Sequence, residues 1–218
     1  MSTPSSFARP IVPTVPTFAD LLPRPTERSR RLAMDAGLVL GVAVLTALAA
    51  QIRIPLGFTP VPVTGQTFAV LLAGTVLGAR RGALSQLAYW AIGIVAPMPW
   101  YAGDTTGASV AEGWQVATGA TAGYLAGFVL AAAAVGYLAE RGHDRSFSSS
   151  APAMLAGTAI IYTMGVAWLA FHLSIPVVDG SPNAIELGLT PFLIGDLLKL
   201  LLAAVLTPLA WQALDRRS

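Results

Sequence analysis

A chain of 218 residues that is 55% hydrophobic and 11% charged, with 13 Lys and Arg against 11 Asp and Glu, has too few charges to cover a soluble globule of its size. With a mean hydropathy of +0.66, the composition predicts an all-α integral membrane protein built as one bundle, with no separate soluble domain. The absence of cysteine excludes disulfides, thiolate zinc sites and cysteine nucleophiles, and the basic residues fall in short clusters between apolar segments, a topological pattern rather than a nucleic-acid surface.

Residues 1–30, "MSTPSSFARPIVPTVPTFADLLPRPTERSR", are rich in Pro and Ser and lack the apolar core of a signal peptide. They are expected to form a flexible tail. Apolar stretches suited to helices follow at about 31–52, 67–79, 82–96, 119–140, 152–174 and 191–214. The first and the last three exceed the roughly 20 residues needed to cross a bilayer. The second and third are shorter, and "LGARRG" between them has the composition of a turn at a membrane surface. The prediction is a six-helix membrane domain over 31–214, followed by a short end at 215–218.

Charge sets the orientation. Arg9, Arg24, Arg28, Arg30 and Arg31 precede the first span, Arg80 and Arg81 lie between the second and third, Arg141 and Arg145 follow the fourth, and Arg216 and Arg217 end the chain. The opposite connections hold Arg53 with Asp104, Glu112, Asp179 and Glu186. The positive-inside rule therefore places both termini in the cytoplasm, which requires an even number of spans. Small residues recur at packing distance: Gly37 and Gly41, Ala43 and Ala47, Gly123 and Gly127. In lipid such pairs let helix backbones approach one another.

The sharpest chemical feature is "FLIGDLLKLLLAAVL", an apolar run interrupted by Asp196 and Lys199. Three residues apart on a helix, the two side chains share a face. A charge at the bilayer centre costs about 2.5–3.5 kcal/mol on the insertion scale, so both must face the bundle interior or a wet cavity. An internal ion pair that merely anchors the helix is the rival to a ligand site. The loop "RIPLGFTPVPVTGQT" adds weight to the ligand: Pro55, Pro60 and Pro62 enforce extended backbone, and Thr59, Thr64, Gln66 and Thr67 offer neutral polar groups. The segment 97–118 and the residues after it carry Trp100, Tyr101, Trp114 and Tyr124 among glycines, as interfacial anchors or as a lid. No Walker loop, G-x-S-x-G elbow or H-E-x-x-H pair occurs, and His143 and His172 stand apart from other metal-type ligands.

Four stretches, "QIRIPLGFTPVPVTGQTFAVLLAGTVLGARRGALS", "YWAIGIVAPMPWYAG", "TGATAGYLAGFVLAAAAVGYLAER" and "FLIGDLLKLLLA", occur in the order and spacing of the BioY family, which the chain resembles from about residue 31 to 214. That family comprises the biotin-specific substrate-binding subunits of energy-coupling-factor (ECF) transporters. The resemblance implies a six-helix bundle in the bacterial cytoplasmic membrane that captures biotin near the outer face. It implies that Asp196 and Lys199 bond the ureido ring and that Thr64 and Gln66 lie near the ligand. Trp100, Tyr101, Gly123 and Tyr124 fall on the family's aromatic and glycine segments. It further implies a membrane coupling subunit and two ATP-binding-cassette ATPases as partners, with Ala33, Gly37 and Gly41 as the stripe gripped by the coupling subunit, and no cofactor or enzymatic activity. From residues alone, two other readings stand: a proton- or ion-coupled secondary carrier using Asp196, and an intramembrane enzyme using the pair as acid and base.

Overall fold

The computed structural model describes residues 14–96, 99–102 and 109–216. Arg9, Asp104 and Arg217 of the charge pattern, and parts of the expected tail and lid, lie outside them. Helix α1, Arg28–Gln51, begins one turn earlier than the sequence predicts. Arg31 bonds back from the helix to the carbonyls of Pro25 and Thr26, both at 2.7 Å, and these bonds tie the entry to the helix. Only Ala43, Thr46, Ala47 and Ala50 of α1 are buried. That narrow stripe packs on the next helix and leaves the rest of α1 outside the core.

The proline loop is held at its base by a two-residue antiparallel ladder, β1 (Arg53–Ile54) with β2 (Val63–Thr64), in the register Arg53 to Thr64. Helix α2 then runs Gln66–Val95, where the sequence predicts two helices. Its 30 residues are not straight. Gln66 and Tyr89 would be about 34 Å apart along a continuous helix, yet Gln66 Nε2 donates to the Tyr89 hydroxyl at 2.7 Å. The fold-back occurs at Gly78, whose φ of 81° and ψ of 178° suit a residue without a Cβ. The turn thus precedes Arg80 and Arg81, which belong to the second limb.

Helices α3 (Val110–Thr118), α4 (Ala122–Ala139) and α5 (Phe147–Leu173) follow. The chain continues through α6 (Ala184–Gly188), a short turn at Thr190–Phe192, and α7 (Leu193–Asp215). The sequence treats 110–118 as irregular; a Ser109 side chain accepting from Glu112 N at 3.3 Å starts a helix there. The central element is α4, packed between α2 and α5, with Ala131, Ala132 and Val135 fully buried. A Cβ on Gly136 would lie 2.4 Å from Ala79 N and Gly78 C, so a bare backbone is what admits the elbow. Glu140 Oε1 accepts from Ala79 N at 2.9 Å and satisfies an amide exposed by the fold-back. Among the described residues, five helical stretches are long and apolar enough to cross a membrane: Arg28–Gln51, Gln66–Val95, Ala122–Ala139, Phe147–Leu173 and Ala184–Asp215.

Within the segment expected to be a flexible tail, residues 14–22 lie across one end of the bundle. Thr17 and Ala19 are buried, and the Phe18 ring stacks on Trp211 at 4.1 Å. Val15 N donates to Glu140 O at 2.8 Å, and Arg145 donates to Pro16 O at 2.7 Å while its guanidinium covers the Trp211 ring. Composition alone conceals this strap, because its anchors are partners far away in sequence. Asp20 is its ionic clasp, accepting from Arg81 at 2.8 Å, from Arg24, and from Thr17 N and Oγ1.

Burial by itself would raise the Asp20 carboxyl, but the Arg81 and Thr17 hydrogen bonds outweigh it and hold its pKa at about 2, below the ordinary 3.8. A depressed carboxylate stabilises above its unfolded pKa and ceases to do so as pH falls through the folded value. The strap is therefore expected to hold from neutral pH down to about 4 and to loosen between about 4 and 2. Asp20→Asn is expected to loosen it at neutral pH. Tryptic cleavage after Arg28 and Arg30 at pH 8 should be faster in the variant, and parent tryptophan fluorescence should be flat from about pH 8 to 4.

Candidate solute-binding site

At the end of the bundle away from the strap, a cavity of about 620 Å³, including its mouth, opens between the proline loop and the helices. Val61, Pro62 and Thr64 of the loop form one wall, with Gln66, Thr67 and Tyr89 of α2 beside them. Tyr101, Ala102 and Val116 close a second side. Thr121, Tyr124, Leu125 and Phe128 of α4, Ile161 and Tyr162 of α5, and Phe192 and Asp196 of α7 complete it. A mostly apolar and aromatic space with a few convergent polar groups is the usual form of a small-ligand site.

The polar groups are tightly coupled. Asp196, buried in the first turn of α7, accepts from the Tyr162 hydroxyl at 2.7 Å and from Thr67 Oγ1 at 3.1 Å. Lys199 Nζ donates to the same carboxylate oxygen as Thr67. The carboxylate also stands near the positive end of the α7 dipole. The fold-back of α2 is what delivers Thr67, and α5 delivers Tyr162, so three elements converge on one acid. Lys199 reaches the site through Asp196 and is not among the residues lining the cavity.

Of the other residues singled out by sequence, Thr64, Gln66, Tyr101 and Tyr124 line the cavity. Gln66 is engaged with Tyr89, as described. Tyr101 donates to Trp90 O, and its phenol is pushed above the usual tyrosine range by burial. Trp100 lies outside the lining: its Nε1 donates to Tyr89 O at 2.8 Å and its ring stacks on Tyr89 at 6.1 Å, so it holds a wall residue in place. Gly123 also lies outside. A Cβ there would sit 2.2 Å from Trp168 Cβ and 2.5 Å from Met164 O, which makes it a contact point between α4 and α5.

The roof joins two connections. Thr59 Oγ1 donates to Leu187 O at 2.7 Å, and the Tyr124 hydroxyl donates to Gly188 O at the same distance. Tyr124 also meets Tyr162 edge to face with centroids 6.4 Å apart. Sequence reasoning missed Tyr89, Phe128, Tyr162 and Phe192. Tyr162 carried a usable signal, a phenol within an apolar span, of the same kind that drew attention to Asp196. His172 stacks near Trp168, and among the described residues no group of three His, Cys, Asp or Glu could hold a metal.

Apolar helices around a cavity with a buried, hydrogen-bonded acid define a multi-pass membrane protein with a candidate small-solute site. The chain belongs to the BioY family, whose family model matches residues 24–216. It is 40% identical over 162 residues to the biotin transporter BioY of Thermotoga maritima, covering 74% of this chain and 86% of that protein. It is 33% identical over 174 residues to the biotin transporter BioY of Rhizobium etli, covering 77% and 87%. Its fold is similar to the crystal structure of the S-component for biotin from an ECF-type ABC transporter. That match has a TM-score of 0.69 at 22% identity, over 86% of this chain and 95% of the other.

Tyr124→Phe keeps the ring but leaves the Gly188 carbonyl without its donor. Loss of about 1–3 kcal/mol is expected for a buried group left unpaired. A lower heat-unfolding midpoint in detergent and faster hydrogen exchange over residues 184–188 are the measurements that check it.

Proposed function

We propose that this protein takes up biotin as the substrate-binding subunit of an ECF transporter in the bacterial cytoplasmic membrane, capturing the vitamin at the outer face. The observation that carries the reading is the Asp196 cluster set into an apolar, aromatic cavity, in a chain whose relatives are biotin transporters. A cyclic urea carries two N–H donors and one carbonyl acceptor. A carboxylate can accept an N–H from it, a bond that gains from charge and from exclusion of water, while the Lys199 ammonium holds that carboxylate ionised and in place. The thiophane ring and aliphatic chain of biotin suit the surfaces of Val61, Leu125, Phe128 and Phe192. Gln66, Thr64, Tyr101 and Tyr124 complete the contact set around this head.

Counting the two limbs of α2 separately, the chain crosses the membrane six times with both termini in the cytoplasm. The basic residues Arg24, Arg81 and Arg145 gather with the strap at one end of the bundle, opposite Asp196, which supports that orientation. Energy comes from partners: a membrane coupling subunit and two ATPases. The coupling subunit is proposed to grip Ala33, Gly37 and Gly41. All three are exposed, and a Cβ built on either glycine would meet nothing within 4 Å. That face of α1 is left unused by the bundle, whereas the Ala43 and Ala47 stripe is occupied by α2.

Labelled biotin is expected to bind the purified protein in detergent. Asp196→Asn and Lys199→Met should each weaken binding by roughly 10- to 150-fold, the range for a hydrogen bond involving a charged group. A folded parent that binds no biotin would overturn the assignment. Gly41→Leu, which puts a four-carbon side chain on the open stripe, is expected to weaken co-purification with the coupling subunit while leaving biotin affinity unchanged. Equal loss of both would refute the separation of the two sites.

A further inference from the structure

The hydrogen-bond geometry around Asp196 decides which atoms face a ligand. Oδ1 receives Lys199 Nζ and Thr67 Oγ1, the latter at 3.1 Å, and Oδ2 receives the Tyr162 hydroxyl at 2.7 Å. A carboxylate offers about four acceptor positions, two on each oxygen. Oδ1 is therefore full, and one position remains on Oδ2. A phenol has a single proton, and that of Tyr162 is committed to Asp196. What Tyr162 keeps for its other neighbours is the lone-pair side of its oxygen. Tyr162 and Asp196 both line the cavity, and the Tyr162 ring is held edge-on against Tyr124, whose own proton is committed to Gly188 O. Neither phenol on this wall has a proton to offer, and neither is free to turn one toward the ligand without breaking a buried bond.

We propose that Tyr162 is a specificity-determining residue: its hydroxyl, oriented by Asp196, accepts one N–H of the ligand's cyclic urea and rejects ligands that present an acceptor or an alkyl group at that nitrogen. The proposal rests on the biotin reading above. A site built around a fixed hydrogen-bonding group discriminates more sharply than an apolar one, because a mismatched ligand leaves buried polar atoms unpaired. Thr67 differs in kind. It also lines the cavity, but its hydroxyl acts on the filled oxygen and supports the carboxylate as a whole.

The test is binding of biotin and of its two singly N-methylated ureido isomers to the parent, Tyr162→Phe and Thr67→Val. The parent should prefer biotin over one isomer by about 100-fold or more. Tyr162→Phe, which preserves the ring and its contact with Tyr124, should weaken biotin by about tenfold. It should also reduce the preference over that isomer to a few-fold, leaving the preference over the other isomer as it was. Thr67→Val should weaken all three ligands by one common factor. A common factor for all three ligands in Tyr162→Phe, no change in biotin affinity, or the same selective collapse in Thr67→Val would each overturn the proposal. In all three of those outcomes the parent binds biotin, so the biotin reading stands. A parent that is folded but binds none of the ligands overturns both.

Discussion

The fold-back of α2 at Gly78 is the constraint on which the rest of the structure depends. It requires a positive φ at Gly78 and a bare backbone at Gly136, so that α4 can lie against the elbow at a separation no side chain would permit. In a medium as apolar as the side chains themselves, such backbone contact is a main source of helix association. The same elbow leaves amide groups without a helical partner, and Glu140 accepts one of them. Because the limbs are antiparallel, the first residues of one meet the last of the other. Gln66 and Thr67 thus stand beside Tyr89 in the wall of the cavity.

Two buried polar clusters join helices of this bundle. The Asp196 carboxylate is surrounded by donors from α2, α5 and α7, and it joins those helices as it prepares the site. A second buried cluster, Gln86 with Thr46 and Ser85, joins α1 to α2. Here Gln86 Oε1 is left without a hydrogen-bond partner, but none of the three residues lines the cavity. The contrast shows why burial of polar atoms alone does not identify a ligand site: the Asp196 group opens onto a cavity.

The two ends of the bundle differ in what holds them. At the cavity end, Thr59 and Tyr124 donate to carbonyls of the Leu187–Gly188 pair, and Ala184 packs with Val166 and Ala170 of α5. At the other end, the strap combines ring stacking, buried threonine and alanine, and the multiply bonded Asp20. The cavity end is thus fastened by neutral hydrogen bonds and apolar packing, and the end carrying the basic residues by an ionic clasp.

Sequence by itself determined that the chain is a helical membrane protein, because composition and apolar run length respond to the solvent and not to the contacts. It also determined that Asp196 and Lys199 must turn inward, since a charge in an apolar span has few tolerable positions. The resemblance carried by "PVPVTGQT" and "GDLLK" led to the family. Only the tertiary structure decided that the α2 turn, expected within residues 77–82, falls at Gly78, two residues before the paired arginines, where α4 presses on it. It alone separated Tyr124, which lines the cavity, from the adjacent Gly123, which packs on α5, and set Trp100 behind Tyr89 instead of in the wall. It alone brought Thr67 and Tyr162 to Asp196 across 129 and 34 residues of chain. Local pattern reports which side chains must avoid lipid, whereas the identity of their partners is set by packing between segments that carry no mark of each other.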